Sequence, residues 1–165
     1  MPQEFSMQEA IKLAIETEKN VGDFYRKAAG ITKNERAKKV FETLAKEEAE
    51  HAGHFFHLYT GKELGSFDEF MARPAKLDSA MLVELNKALS DEVHERRAME
   101  IALKEEEDLE KRLRMTASRI VDPGVAAVFE RMAKETREHF EIIESEYAHY
   151  MGMVHETDID TYVRE

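Results

Sequence analysis

Five residues of this chain place an ionisable group inside what otherwise reads as an apolar helix face. Glu18 interrupts a stripe made by Ile15, Val21 and Tyr25, and Glu48 sits in the middle of another, with His51 one turn further on. Glu106 interrupts a third stripe between Leu103 and Leu109, and His139 lies among Met132, Phe140 and Ile143. Carboxylates almost never enter a core unless they are paired or bound to metal. Like charges aimed at one level of a core raise each other's pKa and cost stability; a divalent cation removes both problems. The spacing points the same way, because residues i and i+3 share a helix face and let Glu48 and His51 grip one cation or two adjacent ones. Oxygen and imidazole donors without thiolate suit iron or manganese, with zinc a common substitute.

Four amphipathic helices have to deliver these groups. The first is predicted from Ser6, which has capping-box spacing to Glu9, to about Gly30, a C-terminal stop. The second runs from about Asn34 to Tyr59, with Ala37, Phe41, Leu44, Ala45, Ala52 and Phe55 on one side. Residues 60–77 hold Gly61, Gly65 and Pro74 and read as a loose crossover. Asp78 or Ser79 then caps a further segment carrying Leu82, Leu85 and Leu89. Ser90 caps a third helix to about Ala117, unless one unbroken helix covers both. Asp122-Pro123 is a helix start, an N-cap acid followed by proline at the first helical position. The fourth helix is expected to reach Met151, where Gly152 closes it, leaving a short tail to Glu165.

An internal repeat relates these helices. An offset of 88 residues (106 − 18 and 139 − 51 alike) lays one half of the chain on the other without a gap. Val40 and Phe41 fall on Val128 and Phe129, and Glu47, Glu50 and His51 fall on Glu135, Glu138 and His139. The matched Val-Phe and His weigh more than matches among Ala, Glu and Lys, which any charged helix supplies. The expectation is a single all-α domain over residues 1–165, built from a duplicated helical hairpin (about 6–60 and 91–151) with a crossover at about 61–90. Two such hairpins make a four-helix bundle with one long connection, the ferritin-like arrangement. One position breaks the repeat. Thr136 stands opposite Glu48, near the centre of its stripe, where a carboxylate is expected; Glu135 lies on the flank, as a substitute ligand or as a solvated side chain.

The stretch Glu18-Lys-Asn-Val-Gly-Asp-Phe-Tyr25, together with Glu-Ala-Glu-His at 48–51, resembles the ferritin-like domain of rubrerythrins and their shorter relatives. The resemblance covers roughly residues 6–60 and 94–151. It implies that Glu18, Glu48, His51, Glu106 and His139 occupy ligand positions for two irons, that Tyr25 lies beside them, and that the protein reacts with peroxide or oxygen. Rubrerythrins with a Cys-rich rubredoxin module draw electrons from it. This chain has no cysteine, so its electron donor would be a separate molecule. The departure at Thr136 leaves two readings open: a non-haem di-iron oxidase or peroxidase or iron-handling redox protein, and a non-enzymatic bundle with a degenerate or single-metal site, manganese and zinc included, that serves as a metal-binding or interaction protein.

Composition narrows the rest. Charged residues make up 36% of the 165, with a formal net charge of −11 and no basic patch, which disfavours phosphate backbones and anionic lipid. Without cysteine there are no disulfides, thiolate sites or catalytic thiols. The start MPQEFSMQEA lacks the basic end and apolar run of a signal peptide, and no stretch approaches the ~20 apolar residues of a membrane span. A soluble cytoplasmic protein is expected, forming a homodimer or higher homo-oligomer, with no nucleic acid or membrane partner. Glu92 and Glu95 also have i, i+3 spacing, but the repeat puts them upstream of the site. His54 and His57 continue a series from His51 and read as solvent-facing. Tyr25 divides between hydrogen bonding to the site and core packing.

Overall fold

The computed structural model describes residues 5–88 and 94–163, with side chains described through residue 152. Its helices are α1 (Met7–Ile31), α2 (Glu35–Leu58), α3 (Phe67–Met71), α4 (Ala80–Ala88), α5 (His94–Arg119) and α6 (Pro123–Val163). The starts follow the capping chemistry. Ser6 accepts the Glu9 N–H at 3.3 Å and Asn34 accepts that of Ala37 at 3.0 Å. Asp122 Oδ1 accepts from the N–H groups of Gly124 and Val125, at 2.9 and 3.1 Å, with Pro123 in the first helical position.

The pair α1 and α2 packs as one hairpin and α5 and α6 as the other, while α4 lies on α5 and α1. The result is an all-α, ferritin-like four-helix bundle with a long connection between its halves. Its core is aromatic and aliphatic: Phe24, Tyr25, Phe41, Phe55, Phe129 and Met132 are fully buried. Among the described residues, no helix is long and apolar enough to cross a membrane.

The crossover is more ordered than its composition suggested. Ser66 caps α3 by accepting the Glu69 N–H at 3.1 Å, and Gly65 turns the chain into it at φ 75°, a conformation that favours glycine. Phe70 is buried, and the Phe56 ring meets Phe67 and Phe70 at 5.3 and 6.4 Å between centroids. Lys19 fastens this strap to α1. Its buried ammonium donates to Asp23 Oδ2 at 2.7 Å and to the Arg73 carbonyl at 3.0 Å. Burial, and then the charges of Arg26 and Arg73, lower the Lys19 pKa.

Several helix ends differ from expectation. Helix α1 runs past Gly30 to Ile31 and ends at Thr32, whose hydroxyl donates back to the Ala28 carbonyl. Helix α5 reaches Arg119 rather than Ala117. Gly152 does not close α6, which continues to Val163 where a tail was expected. An interior glycine costs a helix only about 1 kcal/mol relative to alanine, too little to end it without a competing turn. The expected cap at Ser90 lies outside the described residues.

Candidate metal centre

Each long helix brings its interrupting residue to one level of the bundle. Glu18 and Tyr25 come from α1, Glu48 and His51 from α2, Glu106 from α5, and Thr136 and His139 from α6. The three carboxyl groups and the threonine are 0% exposed, and each histidine is 3% exposed. Helical periodicity explains the convergence, since each residue replaces an apolar side chain at a core-facing position.

The groups are in contact. His139 Nδ1 lies 2.9 Å from Glu48 Oε1 and 3.9 Å from Glu106 Oε1. His51 Nδ1 lies 3.6 Å from Glu18 Oε2 and 3.9 Å from Glu48 Oε2. The two imidazoles are parallel within 6°, with centroids 5.0 Å apart. One donor atom from each of Glu48, His51 and His139 falls within 4.8 Å of the other two. On the α1–α5 side the Tyr25 hydroxyl donates to Glu106 Oε1 at 2.7 Å, which assigns Tyr25 the hydrogen-bonding alternative.

The electrostatics follow from burying these groups together. Burial raises the Glu48 pKa well above its ordinary range, and the neighbouring Glu18 and Glu106 raise it further. Burial and the charge of Glu18 lift Glu106 to about 8, against the downward pull of the Tyr25 hydroxyl. Burial also acts to raise Glu18, but the neighbouring Glu48 carboxyl and the pull of His51 outweigh it and hold Glu18 low. Burial opposes a charge on His51, yet the Glu18 carboxylate wins and raises it. His139 falls to about 4 through burial and the charge of His51. The shifts thus favour charge on Glu18 and on His51, which face each other, and the neutral forms of Glu48, Glu106 and His139.

The donor atoms fit a cation. Both oxygens of Glu18, Oε2 of Glu48, Oε2 of Glu106 and Nδ1 of His51 are buried without a hydrogen-bond partner. Leaving buried polar atoms unpaired costs about 1–3 kcal/mol each and more if charged, so such a concentration at one level needs an explanation. All of them are hard oxygen or imidazole donors of the kind that iron and manganese take. Thr136 Oγ1, where the repeat expects a carboxylate, is likewise buried and unpartnered.

The other expected residues fall elsewhere. Glu135 is on the flank of α6, 3.8 Å from Arg131, although its Oε2 is buried and unbonded. Glu95 accepts the Lys33 N–H at 2.8 Å, away from the cluster, and Glu92 lies outside the described residues. His54 and His57 are exposed. Tyr147 donates to Glu100 at 2.9 Å. Sequence reasoning missed Glu47, whose Oε2 lies 3.1 Å from His139 Nε2. The signal available was its position beside Glu48 at a matched site of the repeat, opposite Glu135.

A family model described as Rubrerythrin matches residues 9–147. No curated protein and no solved structure matches the chain.

Proposed function

The chain belongs to the rubrerythrin family, and from that premise we propose that it is an iron-dependent redox protein, a non-haem di-iron oxidase or peroxidase. Glu18, Glu48, His51, Glu106 and His139 would hold the metal, which when bound supplies one-electron chemistry and open positions for oxygen or peroxide. The observation that carries this reading is the set of buried, unbonded donor atoms that four helices bring to one level.

The chain's own residues have four tasks there. Glu48 and His51, one turn apart on α2, and His139 on α6 present donor atoms close enough to converge on one cation. Glu48 and Glu106 hold protons at carboxyl oxygens and can surrender them when a cation arrives. Tyr25 orients the Glu106 carboxyl by hydrogen bond, with its own pKa raised well above the ordinary value by burial and by Glu106, so its hydroxyl proton stays in place. The ligand side chains are themselves shut off from bulk water, the three glutamates at 0% and the two histidines at 3% exposure. These 165 residues hold no cysteine for an iron–sulfur or rubredoxin-type centre, so in this reading the electrons come from a donor outside them. A homodimer or higher homo-oligomer in the cytoplasm is part of the same reading.

Thr136 favours a second reading, in which the centre holds one metal and serves binding rather than turnover. Iron content separates the two. Protein made in iron-supplemented medium should carry about two irons per chain, show near-ultraviolet oxo-bridged iron absorption, and consume peroxide when given a chemical reductant. One iron per chain without peroxide consumption favours the second reading, and protein that takes up no metal overturns both.

A further inference from the structure

The side chain of Glu47 is 41% exposed, yet its Oε2 is buried and has no hydrogen-bond partner. Among the described residues, no Lys or Arg forms an ion pair with it. Oε2 lies 3.1 Å from Nε2 of His139, on the far side of the ring from Nδ1, which stands 2.9 Å from Glu48 Oε1. The oxygen is at hydrogen-bond distance but off the ring N–H direction, so the bond forms only when one of the two groups rotates.

A neutral imidazole that gives one nitrogen to a metal carries its proton on the other. A carboxylate accepting that proton fixes the tautomer, aims the ring and raises the basicity of the ligating nitrogen. We propose that Glu47 is a positioning residue of the metal centre, whose Oε2 accepts the Nε2–H of His139 and so presents Nδ1 to the cation. The contact crosses the bundle, from α2 of the first hairpin to α6 of the second. It thereby ties the histidine of one repeat to the helix that carries Glu48 and His51 in the other. Glu135 is the counterpart of Glu47 at the 88-residue offset (135 − 47) and also has a buried, unbonded Oε2, but Arg131 stands 3.8 Å from its carboxylate. The two carboxylates are therefore not equivalent: among the described residues Glu135 has an arginine partner and Glu47 has none.

This role rests on the metal-centre reading, and the test has one arm that needs no metal. In metal-free protein labelled with ¹⁵N-histidine, nitrogen shifts at neutral pH should show His139 protonated on Nε2 in the wild type. In Glu47→Ala the Nε2 proton should lose its carboxylate partner, and the His139 Nε2 and Nε2–H shifts should move accordingly, the proton upfield. Iron(II) titrated anaerobically against a competing chelator should bind Glu47→Ala about 10–100-fold more weakly than wild type. Glu47→Gln should recover part of the loss, because an amide oxygen still accepts the Nε2–H without the charge. Alanine keeps the helix, and circular dichroism checks that it has. Wild type that binds iron(II), with Glu47→Ala equal to it in affinity and in the His139 shifts, overturns the role of Glu47 alone. Wild type that binds no iron(II) overturns the metal-centre reading together with the inference built on it.

Discussion

A carboxyl group at 0% exposure must give up its charge or find a counter-charge, and the three at the centre of this bundle divide between the two solutions. Glu18 keeps its charge against His51, whereas Glu48 and Glu106 keep their protons. Glu48 touches the ring of His139 and lies nearest the middle of the donor set, so Glu48→Ala should weaken iron(II) binding beyond the roughly 10–100-fold typical of losing an outer partner. Chelator competition on the folded mutant measures this, and unchanged affinity would remove Glu48 from the site. Thr136 makes the opposite experiment possible. Glu at 136 adds a carboxyl beside Glu18, Glu48 and Glu106, so metal-free Thr136→Glu should melt below wild type. Loaded with iron the order should reverse, since a ligand bound only by the folded state stabilises it. Paired thermal melts with iron counted per chain decide it; a mutant below wild type in both states would show that position 136 does not face the metal.

At the scale of helices, register decides which residues meet. Helix α5 enters with Glu106 at the level of Glu18 and Glu48, while Glu95, three turns earlier, caps the loop between α1 and α2 by accepting from Lys33. Glu106→Ala should therefore lose iron(II), and the double change of Glu92 and Glu95 to Ala should not. The reverse would mean that α5 is set several turns off. The same registers explain what the sequence made legible. A charged residue in an apolar stripe is conspicuous, which is why Glu18, Glu48, Glu106 and both histidines stood out, and the offset of 88 tied them to one level. Capping residues made the helix starts readable at Ser6, Asn34 and Asp122. The ends were harder: α1 stops within one residue of Gly30, but a glycine stops a helix only if a following turn competes, and α6 runs through Gly152 to Val163. Helix α3 escaped notice because five residues are too few to show a period, and the Lys19–Asp23 anchor because a buried ion pair at i, i+4 looks like any surface pair. Glu47 escaped for a related reason: its backbone position is on the flank, and only its oxygen reaches His139.

For the molecule as a whole, charge sets both solubility and response to pH. The formal net charge of the chain is −11, and at its centre burial favours the proton-bearing forms of Glu48 and Glu106. Glu106 has its pKa at about 8 in the fold against about 4.3 in an unfolded chain. A raised acid pKa gives stability that is complete below the unfolded value and disappears as pH rises through the folded one. Glu48 and His51, also raised, act in the same direction. His139, lowered to about 4, acts oppositely but only between about 4 and 6.5. Metal-free protein should thus lose stability steadily from about pH 6.5 to 8, and iron(II) affinity should rise over the same range as protons leave the ligands. Denaturant melts and chelator titrations across that range check both slopes; flat profiles would mean that the carboxyls do not hold these protons. The central claim, that the inward Glu and His residues are metal ligands, is tested most directly by a crystal structure of iron-loaded protein with anomalous scattering recorded on both sides of the iron edge. The account predicts iron density inside the bundle, at the level of Glu48, within coordination distance of Glu48, His51 and His139. Iron found only at surface carboxylates, with the bundle interior empty of anomalous density, would contradict it.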